Sequence, residues 1–199
     1  MIDKPYSESC EQNREPILAV LKQAFADCSQ VLEIGSGTGQ HAVYFGADLP
    51  HLRWQTSDVP AHHPGIRAWL DEAALPNVLP PLELDVSQRH WPSGRYDAVF
   101  SANTLHIMGW PEVVRFFEGV GAVLAPGGVL VVYGPFNYNG QFTSESNARF
   151  DGWLKARDPA SGVRDFEAVN ALAQAQGLIL QQDIAMPANN RSLVWQRLD

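Results

Sequence analysis

Val31-Leu32-Glu33-Ile34-Gly35-Ser36-Gly37-Thr38-Gly39-Gln40-His41-Ala42-Val43-Tyr44-Phe45-Gly46 is the stretch from which the rest of the chain can be read. Val31, Leu32 and Ile34 make a short apolar run of the kind a buried strand carries, and Ala42, Phe45 and Leu49 follow at helical spacing. Between them lies Gly35-x-Gly37-x-Gly39. Glycine admits positive φ and lets a ligand approach the backbone closely. The free N–H groups opening the next helix favour polar or anionic ligand groups. The stretch therefore predicts a nucleotide-type cofactor turn at the carboxyl end of a first strand. The dinucleotide fingerprint G-x-G-x-x-G places its third glycine one residue later, where this chain has Gln40. Glu33 stands two residues before the first glycine, where a carboxylate would repel a pyrophosphate but not a cofactor carrying an amino group and a sulfonium. Gln40 and Glu33 together disfavour an NAD-linked oxidoreductase.

Reading outward, a helix is expected to begin near Glu15-Pro16, because proline is tolerated in a first turn. Ile17, Leu18, Leu21 and Phe25 then share its apolar face. Arg53 to Asp58 reads as a second strand, and Ile66, Trp69, Leu70 and Ala73 as a helix. Val78 to Leu84 reads as a third strand, with Pro80-Pro81 suiting its start or a sheet edge. Tyr96 to Ala102 is the fourth strand, followed by a helix bearing Val113, Phe116, Phe117, Val120 and Leu124. Pro126-Gly127-Gly128 turns into a fifth strand, Val129 to Gly134. Residues 135–165 form an insertion with a helix around Phe150, Trp153 and Leu154. A helix over Phe166 to Gln176 precedes two closing strands, Leu178 to Ala185 and Ser192 to Leu198, too closely joined to be anything but antiparallel. Alternating strands and helices require a parallel sheet covered on both faces. The expected architecture is a single α/β domain over 1–199, a doubly wound, mainly parallel seven-stranded sheet whose last strand is antiparallel.

Composition narrows the class. At 199 residues with 45% hydrophobic and 18% charged residues, the chain suits one globular domain. No apolar run reaches the ~18 residues of a membrane span, and the polar Met-Ile-Asp-Lys-Pro-Tyr-Ser start lacks the apolar core of a signal peptide. Cys10 and Cys28 form no CxxC and read as free thiols of a reducing cytoplasm. No metal-ligand spacing is present, and His62-His63 beside Pro64 is most simply a loop. A net charge of −8 opposes the wrapping of a phosphate backbone.

Three acidic residues, Glu33, Asp58 and Asp85, close successive predicted strands. Each taken singly can be an ordinary turn residue. Their joint placement favours a ligand site, since ligands of such sheets sit outside the carboxyl ends of the strands. Glu33-x-Gly35-x-Gly37-x-Gly39 resembles the first motif of class I S-adenosylmethionine (SAM) methyltransferases. The resemblance implies that the turn, Gly35, Ser36, Gly37, Thr38 and Gly39, passes under the methionine part of SAM. It implies that Asp58 accepts from the ribose hydroxyls, that Asp85 and the amide of Val86 meet the adenine edge, and that Asn103 lies near the methionine part or the transferred methyl group. Asn13 is expected on the same cofactor, within an N-terminal lid and helix, residues 1–29.

His106, just after the fourth strand, is the candidate general base. A packing or capping histidine at the start of the next helix is the alternative. Tyr133, Phe136, Asn137 and Tyr138 follow the fifth strand and are expected to select the acceptor, although Phe136 and Tyr138 equally suit the insertion's own core. Asn189 and Asn190 reach the same rim if the sixth strand runs parallel to the rest, or else serve as turn formers.

Over nearly its whole length the chain resembles one family of uncharacterised methyltransferase-like proteins of bacteria and animals. The matching strings are Asn13-Arg14-Glu15-Pro16-Ile17-Leu18, Gly35 to His41, Trp54-Gln55-x-Ser57-Asp58, Leu84-Asp85-Val86, Tyr133-Gly134-Pro135-Phe136, Ser146-Asn147-x-x-Phe150-Asp151, Gly162-Val163-Arg164-Asp165 and Met186-Pro187-Ala188-Asn189-Asn190. The chain departs from the family at Glu11-Gln12-Asn13, where the pattern has Glu-Arg-Asn, and at Ser161-Gly162, where it has Trp-Gly. The expected function is SAM-dependent methylation of a small neutral or cationic molecule, with a non-catalytic SAM-binding partner protein as the alternative. Neither nucleic acid nor a membrane is expected as a partner.

Overall fold

Strands Gln30–Glu33 (β1), Arg53–Asp58 (β2), Val78–Glu83 (β3), Tyr96–Ala102 (β4), Leu124–Gly134 (β5), Leu178–Met186 (β8) and Asn190–Arg197 (β9) build one seven-stranded sheet. Its order is β3-β2-β1-β4-β5-β9-β8. The computed structural model describes residues 4–88 and 90–198. The first three residues of the expected lid lie outside them. β1 pairs in parallel with β2 and β4, β2 with β3, and β4 with β5, whereas β9 is antiparallel to both β5 and β8. β8 therefore runs in the common direction, and its carboxyl end reaches the same sheet edge as those of β1 to β5. Pro80 and Pro81 lie in β3, the edge strand, where a missing N–H costs no ladder bond toward a further strand.

The central strands are buried on both faces because successive side chains point to opposite sides. Val31, Ala98, Phe100 and Val131 face helices Glu8–Ala24 (α1) and Gln40–Asp48 (α2). Helix His63–Ala73 (α3) joins that side through Leu70. Leu32, Val99, Leu130 and Val132 face Trp110–Val123 (α4) and Phe166–Ala175 (α6). Truncating a fully buried side chain such as Phe100 in such a core costs ~3–5 kcal/mol.

Three expectations need correction. α1 begins at Glu8, two turns before Glu15-Pro16, because the Ser7 side chain caps it by accepting from the Cys10 N–H. Pro16 sits inside the helix, where it forfeits the bond to the Gln12 carbonyl. β5 begins at Leu124, not Val129: the Pro126-Gly127-Gly128 turn is a bulge within the strand, seen as a register shift against β4. His62 and His63 are not a loose loop: His62 ends a 3-10 turn, Pro60–His62, and His63 opens α3. The insertion carries helix Glu145–Arg157 (α5) and a two-stranded patch of Phe136–Asn137 (β6) and Arg164–Asp165 (β7).

Candidate functional site

The Gly35–Gly39 turn leaves β1 with all three glycines at positive φ, 75°, 58° and 93°. Their surroundings differ. A methyl group on Gly35 would collide with Thr104 Cγ2, and one on Gly39 would meet the Ile66 backbone at 3.0 Å. One on Gly37 would meet nothing within 4 Å. The turn is thus packed against the protein at both ends and open at its middle, where a ligand can lie against the backbone.

Glu33 is buried behind this turn. Its Oε2 accepts from the Ser36 hydroxyl at 2.7 Å and the Trp54 indole at 3.1 Å. Loss of water raises its carboxyl pKa to about 7, against those two hydrogen bonds. Asp58, at the end of β2, accepts from the Gly37 N–H at 2.7 Å and from the Val59 N–H at 2.7 Å, and its Oδ1 is 2.8 Å from His62 Nδ1. His63 Nε2 meets the Asp58 backbone oxygen at 2.9 Å. A carboxylate offers about four acceptor positions, so Asp58 keeps room for one ligand hydroxyl. After β3, Asp85 accepts from the Ser87 N–H and side chain, which hold its pKa low, and Val86 is buried against Leu32 and Ile34.

Past Thr104, on which Gly35 packs, Asn103 lines a cavity of about 710 Å³ to which the turn itself contributes no residue. Ser9, Gln12 and Asn13 of α1 form one wall, Asn103, His106 and Ile107 after β4 the floor, and Tyr133 and Pro135 the end of β5. Ser146, Asn147, Phe150, Trp153 and Leu154 of α5 form the opposite wall, closed by Pro187 to Asn190. Asn103 has φ 57°, held by its N–H donating to the Tyr133 carbonyl at 2.9 Å. Asn13 Oδ1 lies 2.7 Å from His41 Nε2. The Asn189 side chain donates to Ser146, and Asn147 donates to the Asn189 carbonyl at 3.1 Å, so the β8–β9 loop and α5 close the mouth together.

The His106 ring sits edge-on to Phe150, with centroids 5.2 Å apart. Among the described residues neither ring nitrogen has a partner within the chain. Burial first, and the Arg164 charge second, lower its pKa to about 4, so the imidazole is neutral at pH 7. Arg164 also donates to the carbonyls of Leu105, Met108 and Ala160, while the Gly162 N–H donates to the His106 carbonyl at 2.9 Å. The insertion thereby clamps the turn that carries His106.

Of the residues expected to form the site, the structure brings Asn13, Asn103, His106, Tyr133, Asn189 and Asn190 together around the cavity. Glu33, Ser36, Asp58, Asp85 and Val86 stand at the ends of β1, β2 and β3 on the same sheet edge and do not line the cavity. Phe136, Asn137 and Tyr138 are not brought to it. Phe136 is buried in the core under α4, and Asn137 pairs in β6. Tyr138 stacks on Phe166 at 5.2 Å and donates to Asp183. The turn at Gly134-Pro135 swings these residues under the insertion. Phe150, Trp153, Asn147 and Arg164 were missed as site residues. Three of them stand within the Ser146-Asn147-x-x-Phe150 and Gly162-Val163-Arg164 strings, which was the available signal.

A family described as "Protein of unknown function (DUF938)" matches residues 4–197. Among solved structures, an O-methyltransferase family protein from Burkholderia thailandensis superposes with a TM-score of 0.83 at 18% identity, over 93% of this chain and 56% of that one. An O-methyltransferase family 2 protein from Planctomyces limnophilus, in complex with apigenin, gives 0.84 at 14% identity, over 96% and 58%. Human N-acetylserotonin methyltransferase, in complex with SAM, gives 0.80 at 15%, over 96% and 53%. The chain spans little more than half the length of these proteins. At such identities the likeness shows the fold, which is that of class I methyltransferases.

Proposed function

This chain belongs to the DUF938 family, and from that premise we propose that it is a SAM-dependent methyltransferase acting on a small molecule in the cytoplasm. The reading is carried by one juxtaposition: a glycine turn open at Gly37, and a separate cavity of about 710 Å³ lined by Asn103 and His106, which follow β4, the strand paired with β1. The backbone of Gly35 to Gly39, with Ser36 and Thr38, holds the methionine part of SAM, flanked by Asn13 and Asn103. Glu33 faces its amino group, Asp58 the ribose, and Asp85 with the Val86 N–H the adenine. When bound, SAM supplies a methyl group on a cationic sulfur, which keeps the bonding electrons and leaves as S-adenosylhomocysteine. The chain then has to orient the acceptor and exclude water. His106, neutral and without a hydrogen-bond partner among the described residues, accepts the acceptor's proton and passes it to solvent.

Calorimetry with S-adenosylhomocysteine and NAD is the first test, and binding of the former alone is expected. Asp58→Ala should weaken that binding by ~1.5–3 kcal/mol, the scale of a hydrogen bond to a charged group. Unchanged affinity would remove Asp58 from the ribose. Label transfer from methyl-labelled SAM to a metabolite extract separates an enzyme from a SAM-binding protein without turnover.

A further inference from the structure

We propose that the cavity selects an uncharged, planar aromatic acceptor, lying against the Phe150–Trp153 shelf with its hydroxyl in the niche over Gly134, between Asn103 and His106. This rests on the methyltransferase reading and adds the class of acceptor to it.

The first observation concerns charge. Among the described residues lining the cavity there is no Asp, Glu, Lys or Arg, in a chain whose net charge is −8. A cationic acceptor would find no carboxylate, and the charge of Arg164 lies behind His106. An anionic acceptor would find no free cation, because Arg164 already donates to three backbone carbonyls. Moving either ion out of water into this space is costly without a counter-charge. A neutral molecule meets no such penalty.

The second observation concerns shape. Phe150 and Trp153 stack at 5.8 Å with ring planes 16° apart, and Trp153 is 52% exposed at the mouth. They give the mouth an apolar aromatic surface against which a flat ring can lie. The third concerns polarity. A methyl group on Gly134 would stand 3.7 Å from His106 Nδ1 and 4.0 Å from Asn103 Oδ1. The bare α-carbon therefore leaves a small space that two polar atoms face, an acceptor atom on each side when His106 Nδ1 is unprotonated. A hydroxyl suits it: its proton bonds to one of them. Three other amides of the wall already have partners within the protein: Asn13 Oδ1 lies by His41 Nε2, the Asn189 amide donates to Ser146, and Asn147 donates to Thr143 and to the Asn189 carbonyl.

The test uses the full chain and three compounds of one size: naphthol, naphthylmethylamine and naphthoate. Binding is read by calorimetry in the presence of S-adenosylhomocysteine, and separately in its absence. Naphthol should bind about tenfold or more tighter than either ion, as expected when the ions lose hydration without a partner. Gly134→Ala fills the niche at ordinary contact distance without a strained backbone, and Phe150→Ala removes the shelf. Each should weaken naphthol binding and leave S-adenosylhomocysteine binding unchanged. Equal or tighter binding of an ion, no binding of naphthol, or naphthol binding indifferent to both variants would overturn the proposal. Failure of S-adenosylhomocysteine to bind would instead overturn the methyltransferase reading, while the comparison made without it still decides the selectivity.

Discussion

At the scale of single residues, the three glycines of one motif divide two jobs, Gly35 and Gly39 packing against the protein and Gly37 staying open. Gly39→Ala should destabilise the fold, since its methyl group meets the Ile66 backbone and its φ is 93°. Gly37→Ala adds only the left-handed strain, ~1–2 kcal/mol, but projects a methyl group into the space read as the cofactor's. Thermal melts paired with S-adenosylhomocysteine titrations should show the first variant losing stability most and the second losing affinity most. If Gly37→Ala binds normally, the ligand does not cross that turn. Glu33 makes a second prediction. Its buried carboxyl is held at about 7, so part of it is protonated near neutrality. A ligand bearing an ammonium group favours the ionised form, so SAM affinity should rise with pH up to about 7 and then level. Glu33→Gln should flatten the profile. A wild-type affinity independent of pH between 6 and 8 would mean that Glu33 does not face the cofactor.

At the scale of elements, the chain before α1 is tied down by α2 and α3. The Gln40 side chain accepts from the Ser7 N–H and donates to the Ser7 carbonyl. The Trp69 indole donates to the Pro5 carbonyl at 2.6 Å, and Lys4 pairs with Glu72 at 2.7 Å. α1 then carries Ser9, Gln12 and Asn13 over the cavity. This arrangement suits a lid. Gln40→Ala should cost the two bonds, ~1–3 kcal/mol of local stability. It should speed limited proteolysis ahead of α1 and release of S-adenosylhomocysteine. Faster proteolysis with unaltered release would make the segment a structural strap only. Gln40 is also the residue that breaks the dinucleotide pattern, and its substitution for glycine has this visible structural use.

At the scale of the whole molecule, two buried histidines make stability depend on pH. His41 and His106 have pKa values lowered to about 4 from 6.5, chiefly by burial. Between those values the unfolded chain binds more protons, so acid destabilises the fold. Glu33, raised from 4.5 to about 7, acts in the opposite sense over 4.5 to 7. Two groups against one leave a net loss of stability, on the order of 1 kcal/mol per pH unit, on acidification from 6.5 to 4.5. Denaturant midpoints across that range should fall, and less steeply in His106→Asn; a flat profile would refute neutral burial of these rings. The sequence by itself determined the sheet, its antiparallel last strand and the glycine turn, because these follow from local periodicity and from φ values that glycine readily adopts. It also marked Asp58, Asp85, Asn103 and His106, because in a parallel sheet strand ends must share one edge. Only the tertiary structure decided which rim residues face the cavity. Phe136 and Tyr138 have the composition of a pocket wall yet are turned into the interior by the path after Gly134. Phe150 and Trp153 have the spacing of an ordinary core helix yet face the opening. That choice depends on contacts between distant segments, such as Arg164 on the carbonyls around His106 and Asn189 on Ser146, and long-range packing of this kind leaves no period in the chain.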